Sequence, residues 1–150
     1  MTTPLYIFDL DGTLADLTHR RHFVDKKVGR KDWDAFHAAC VDDAPIWPVI
    51  HTMRTLQAAG AECWVVSGRS DAVYDQTVDW VTRHDCAPSR LLMRKAGDYT
   101  PDDVLKESWL RSWPSADVAR IVAVFDDRDR VVAMWRRHGI QCFQVAPGDF

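Results

Sequence analysis

The chain's 150 residues, 47% hydrophobic and 27% charged, suit a single domain that buries roughly two-thirds of the surface its unfolded form exposes. That composition excludes a disordered or fibrous protein, and a formal net charge of -3 excludes one that coats long nucleic acid by neutralising its phosphates, although contact with a strand end is still permitted. The four cysteines form no CxxC pair, no apolar run approaches the ~20 residues that span a bilayer, and the N-terminal residues lack signal-peptide order, so free thiols, no membrane partner and a cytoplasmic location are expected.

The apolar run LYIFDL, Leu5 to Leu10, ends in acid and glycine, the pattern of a buried parallel strand that delivers Asp9 to its carboxyl end. Leu17 to Ala44 is polar and rich in Lys, Arg and His, with one helix-like piece, DWDAFHAAC. It reads as a small cap following the Asp9 loop, with a solvated insertion as the plainer alternative. A helix from about Trp47 to Ala59, closed by Gly60, leads into the strand CWVVSGR, Cys63 to Arg69. The same grammar returns as a helix near Asp71 to His84, a strand near Arg90 to Met93 and a helix near Pro101 to Trp113. It closes with IVAVFDD at Ile121 to Asp127, a helix from about Arg130 to His138, Gly139 and the strand IQCFQV. Such alternation predicts an α/β fold: a doubly wound, Rossmann-like parallel sheet of about five strands with a small helical cap inserted after the first.

In open α/β sheets the ligand site lies beyond the carboxyl ends of the strands. Those ends carry Asp9 and Asp11, then Ser67 and Arg69, then Asp126 and Asp127, while DDVLK adds Asp102 and Lys106. Carboxylates, a hydroxyl and cations in one place suit phosphoryl transfer, where catalysis is mainly positioning and neutralisation of charge. Asp9 can attack phosphorus to form an acyl phosphate. Asp11 can protonate the leaving oxygen and then deprotonate the water that cleaves the intermediate, and Gly12 permits the turn that follows. Two carboxylates beside a phosphate need a cation, and Mg²⁺ held by Asp9, the Asp11 carbonyl and the Asp126-Asp127 pair fits, with Asp127 favoured as the direct ligand. Thr13, Ser67 and the backbone from Gly68 onward can hold phosphoryl oxygens, Lys106 can neutralise nucleophile and phosphate together, and Arg69 can add a forked contact.

These residues carry a resemblance. DLDGTLAD resembles the nucleophile motif of the haloacid dehalogenase superfamily, VVSGR its hydroxyl motif, Lys106 its lysine and FDDRDRVV its acidic metal motif. VVSGRS, DDVLKE and the C-terminal FDDRDRVVAMWRRHGIQCFQVAPGDF are further similar to the 3′-phosphatase domain of phage polynucleotide kinase-phosphatase, over most of Leu5 to Phe150 and least around Val24 to Ala44. That likeness implies a metal-dependent domain that removes 3′-phosphate from DNA or RNA ends for repair. Asp9 would be its nucleophile and Asp11 its acid/base, with Arg20, Arg69, Asp102, Lys106 and Asp127 in support. Spacing alone picks out Arg20, with Arg21 adjacent. The sequence has no GxxxxGK[ST] phosphate loop, so a kinase domain is not expected and a separate kinase or ligase partner is.

Plainer readings apply to single features. His37, His51, His84 and His138 read as helix-surface or cap residues, and His19 and His22, flanking Arg20, lie nearer the expected entrance. Trp135 reads as core, whereas Trp33 could stack on a base, and KKVGRK, Lys26 to Lys31, could be a solvated face or a contact for phosphates. Two other functions compete with end repair: hydrolysis of free nucleotides or other small phosphate monoesters, and a binding module without turnover. The short cap argues mildly against the first, because a small substrate wants a closing lid, and the full set of acids argues against the second.

Overall fold

Alternation along two neighbouring strands decides the layering. In β1 (Leu5–Phe8), Leu5 and Ile7 enter one apolar layer and Phe8 the other; in β4 (Glu62–Ser70), Trp64 and Val66 join the first layer, Cys63 and Val65 the second. Successive side chains on a strand point to opposite faces, so the stretch of a strand buried on both faces is apolar at consecutive positions, as Cys63 to Val66 are, with polar residues only toward its ends. The computed structural model describes residues 2–25, 27 and 29–150, so Lys26 and Val28 of the basic run lie outside the described residues.

The sheet has the order β5-β4-β1-β6-β7, with β5 at Arg90–Arg94, β6 at Ile121–Asp126 and β7 at Cys142–Gln144, every pair parallel. From central β1 the chain builds outward to β4 and β5, then returns to build β6 and β7 on the other side. The crevice where that order reverses opens at the carboxyl end of β1, which ends beside Asp9.

Helices α2 (Trp47–Ala58) and α3 (Tyr74–Arg83) cover one face through Ile50, Met53, Trp80 and Val81. Helices α4 (Asp102–Ser112) and α6 (Asp129–Arg137) cover the other, where Trp113 packs edge-on against Trp64 at 5.2 Å and stacks with Trp135 at 6.3 Å. The seven tryptophans thus form both a core and a rim: Trp64, Trp80, Trp113 and Trp135 are buried, Trp109 packs partly buried against the Trp113 cluster, and Trp33 and Trp47 are half exposed. All four cysteines are buried free thiols, and none of the described helices is long and apolar enough to cross a membrane.

The expected cap is bracketed by a two-stranded hairpin, β2 (Ala15–Asp16) against β3 (Ala44–Pro45). Between them lie a 3-10 turn over Thr18–Phe23, α1 (Trp33–Ala38) and a second 3-10 turn over Ala39–Asp42. Asp32 opens α1 by accepting from the Ala35 amide at 3.0 Å, a side-chain cap for one of the free first-turn donors. Some expectations need correction at their edges. The helix expected from Asp71 begins as a 3-10 turn over Asp71–Val73. The strand expected from Ile140 starts at Cys142, because the Ile140 amide is spent on the Trp135 carbonyl that closes α6. Helix α5 (Ser115–Ala119) and the hairpin were not foreseen.

Trp135 is fully buried. Trp135→Ala should therefore lower unfolding stability by about 3–5 kcal/mol through the cavity it leaves, read as a reduced urea midpoint at unchanged slope.

Candidate active site

The turn after β1 is wound around one carbonyl. The amides of Thr13, Leu14 and Ala15 all point at the Leu10 oxygen, at 3.2, 2.9 and 2.9 Å, while the Asp9 amide continues the ladder to Phe125 at 2.9 Å. Asp9 is thereby anchored and Asp11 projects two residues later. Gly12 makes the turn possible with φ +83°, and a Cβ there would collide with the Asp127 carboxylate, so both backbone angle and space require glycine.

Asp9, Asp126 and Asp127 offer oxygens that all lie within 4.8 Å of one another, each residue buried. From α4 the buried Lys106 reaches in, its ammonium 2.8 Å from both Asp9 Oδ1 and Asp126 Oδ2. Thr13 donates to Asp9 Oδ2 at 3.2 Å. Burial, then the Asp126 charge, push the Asp9 carboxyl well above its ordinary range despite Lys106. Burial and Asp126 likewise push Asp127 up to about 6. Burial alone would lower the Lys106 ammonium, but Asp126 and Asp9 outweigh it and raise its pKa. One cation among three carboxylates leaves an excess of buried negative charge, and an all-oxygen donor set fits a hard divalent ion such as Mg²⁺. With Asp126 tied to Lys106, Asp127 is the freer of the pair.

Asp11 lies in a second array. Arg20 donates to Asp11 Oδ1 at 2.8 Å and holds both Asp43 oxygens at 2.7 Å. Arg69 donates to Asp11 Oδ1 at 2.5 Å, Asp43 Oδ2 at 3.0 Å and Thr77 at 3.1 Å. Burial would raise the Asp11 carboxyl, but the Arg69 and Arg20 guanidiniums more than offset it and hold it below the ordinary range. Both arginines are buried, and the Arg20 guanidinium also lies 4.3 Å from the centre of the Phe36 ring. Of the adjacent pair, Arg20 faces inward and Arg21 outward. The Arg69 fork is closed on carboxylates.

Ser67, nearly fully buried, accepts from the Arg69 amide at 3.1 Å. Beside it, a Cβ on Gly68 would strike the Asp102 carboxylate. Asp102 is held in turn by Arg94 and, at 2.8 Å, by Arg128. The structure therefore brings Asp9, Asp11, Thr13, Arg20, Ser67, Gly68, Arg69, Asp102, Lys106, Asp126 and Asp127 to one end of the sheet. His19 joins the edge of the arginine array, 2.8 Å from Asp43, whereas His22 packs on Phe23. Trp33 sits edge-on to Phe36 with Lys31 at its face. His51 and His84 pack around Trp47 on the helical surface, and His138 pairs with Glu107.

Three participants were missed. Asp43, 3% exposed, is the shared counter-ion of Arg20 and Arg69, and its carbonyl accepts from Trp80 Nε1 at 2.9 Å. Nothing in the cap sequence separates it from Asp42. Arg94 stood at a strand's carboxyl end and could have been found there; Arg128 gave no signal beyond following Asp127.

Residues 3–150 match the family described as the polynucleotide kinase PNKP phosphatase domain. A chain in the structure of a Pnkp1/Rnl/Hen1 complex superposes at TM-score 0.79 with 30% identity, covering 100% of this chain and 48% of that one. A bifunctional polynucleotide kinase/RNA ligase of Autographa californica nuclear polyhedrosis virus is 29% identical over 130 residues, 85% of this chain and 17% of that protein. The chain thus spans less than half the length of these relatives. The class C acid phosphatase of Bacillus anthracis, at TM-score 0.66 and 18% identity over 98% of this chain and 67% of that one, shares the fold.

Asp43→Ala strands two buried guanidiniums without their shared counter-charge. The substitution should lower unfolding stability by about 3–5 kcal/mol, measured by urea denaturation, with Asp43→Asn costing less because it keeps one acceptor.

Proposed function

Because the chain belongs to the phosphatase-domain family of polynucleotide kinase-phosphatases, and is thus a haloacid dehalogenase-type phosphatase, we propose that it removes 3′-phosphate from DNA or RNA ends through an aspartyl-phosphate on Asp9. The observation that carries this reading is the split in environment two residues apart, with Asp9 in a carboxylate cluster facing Lys106 and Asp11 between two arginines.

In the first step an Asp9 oxygen attacks phosphorus, the bond from phosphorus to the 3′ oxygen breaks, and Asp11 gives that oxygen a proton. The arginines hold Asp11 ionised at rest. A phosphate entering the site competes for their donors and adds negative charge, and both effects raise the Asp11 pKa toward the protonated form needed for the step. In the second step Asp11 takes a proton from water, whose oxygen attacks the acyl phosphate, and Asp9 is regenerated as phosphate departs. Lys106, already on Asp9, stabilises the charge that builds on the phosphoryl oxygens. Ser67, Thr13 and the amides from Gly68 onward are the donors available to those oxygens. Asp102, locked by Arg94 and Arg128, braces the Ser67-Gly68 backbone.

Mg²⁺ would be held by Asp9, Asp127 and the Asp11 main-chain carbonyl, and when bound supplies positive charge against the transferring group. Relatives that carry kinase or ligase in their names, and a relative found in a repair complex, support a separate kinase or ligase partner. A cap whose described regular structure is one six-residue helix and two 3-10 turns suits a strand end better than a small molecule that must be enclosed.

Phosphate release from 3′-phosphate oligodeoxynucleotide, 3′-phosphate oligoribonucleotide and free 3′- and 5′-mononucleotides, with Mg²⁺ and with chelator, tests the reading. Preference for oligonucleotide 3′ ends that vanishes with chelator is expected; equal or better release from mononucleotides refutes it in favour of a small-molecule phosphatase. Asp11→Asn should lose roughly 10²–10⁴-fold on an alkyl phosphate and much less in the first step on an aryl phosphate, whose leaving group needs no proton. Equal losses measured by burst kinetics count against Asp11 as the acid.

A further inference from the structure

The ring of Phe150 lies where the cap meets the acidic loop, and none of the site chemistry uses it. Its carbonyl accepts from Arg128 Nε at 2.8 Å, and the same arginine reaches Asp102 through Nη1 at 2.8 Å. Two residues earlier, Gly148 is packed so tightly on the Asp127-Arg128 backbone that a Cβ would overlap the Asp127 carbonyl, and its own carbonyl accepts from the Asp129 amide at 2.8 Å. Phe150 is therefore tied to the loop that carries Asp127. The Arg21 guanidinium, next in sequence to the buried Arg20, approaches the ring at 5.7 Å and that of Arg128 at 5.2 Å.

Those distances decide what the ring is for. Where a guanidinium closes over a phenylalanine in this protein, Arg20 on Phe36, the separation is 4.3 Å and the ring residue is 9% exposed. Around Phe150 both cations stand farther off, and the residue stays 48% exposed. Arg21 is exposed and makes no ion pair among the described residues. A half-exposed aromatic ring with loosely held guanidiniums beside it is a combination that binds single strands, the base stacking on the ring and a backbone phosphate meeting the charge.

We propose that Phe150 is the platform on which one of the last two bases of a single-stranded substrate stacks, with Arg21 taking the adjoining phosphate. This rests on the reading of the site as a 3′-end phosphatase and names how that site recognises its strand.

The test is a double-mutant cycle in the whole chain with Mg²⁺. Wild type and Phe150→Leu, which keeps an apolar side chain but no ring, are compared on 3′-phosphate oligonucleotides with all bases present, and on oligonucleotides lacking the terminal or the penultimate base. Phe150→Leu should lower kcat/KM about tenfold on the complete strand, mainly through KM, and the loss should shrink at least threefold when the stacked base is absent. Phe150→Trp should restore the wild-type value. Equal losses on all three strands overturn the platform and leave a packing role, and coupling to the missing base at Trp33→Leu in place of Phe150 overturns it as well. A wild-type protein with no preference for oligonucleotide ends removes the end-phosphatase reading and the platform together, whereas a clear preference with an additive cycle removes the platform alone.

Discussion

Lys106 stands 2.8 Å from Asp9 and from Asp126 in a cluster where a third buried carboxylate, Asp127, lies close by. Water cannot screen charges there, and an unpaired buried carboxylate costs several kcal/mol. The surroundings are arranged to meet that cost. Lys106 comes from the first turns of α4, whose start is fixed by Asp102 between Arg94 and Arg128. The Asp126-Asp127 loop is gripped from outside by Gly148 and from inside by Gly12. Remove the ammonium and the carboxyl end of β1 becomes a place where three acids cannot all ionise.

A second array sits beside the first with opposite balance. Asp11 and Asp43 share two arginines, and the result is a carboxyl held ionised within two residues of one pushed toward neutrality. Titrating groups driven apart by their environments are the usual mark of divided labour in a catalytic site. Here the division follows from topology. Asp9 directly follows the strand and meets what β6 and α4 bring, whereas Asp11 lies in the turn and meets what the cap and β4 bring.

Much of this was legible in the residues. Strands buried on both faces announce themselves as unbroken apolar runs, which is why β1, β4 and β6 were placed within a residue or two, and acids or small polar residues at their ends pointed to the site. What escaped notice depends on tertiary contact alone. Asp43 is one of two adjacent aspartates in a polar stretch, and only the approach of Arg20 from twenty-three positions earlier and Arg69 from twenty-six later makes it matter. The hairpin of β2 and β3 has two residues per strand, too few for any periodicity. Helix α5, five residues after Pro114, falls below the length at which a 3.6-residue pattern can be recognised.

That hairpin has a consequence for how the molecule can change. Ala15 pairs with Pro45 and Asp16 with Ala44, so the chain leaves the body of the domain and re-enters it at the same spot, the loop's two ends stitched together before the excursion begins. Arg20 and Asp43, the cap residues that reach the site, lie within a few positions of that stitch. The stretch between them hangs from a closed neck, where a change of length alters loop entropy only slowly, and it touches the site array through Phe36, whose carbonyl and ring meet Arg20. Variation in the outer part of the loop can thus be absorbed above the neck, so long as Phe36 keeps its seat against Arg20.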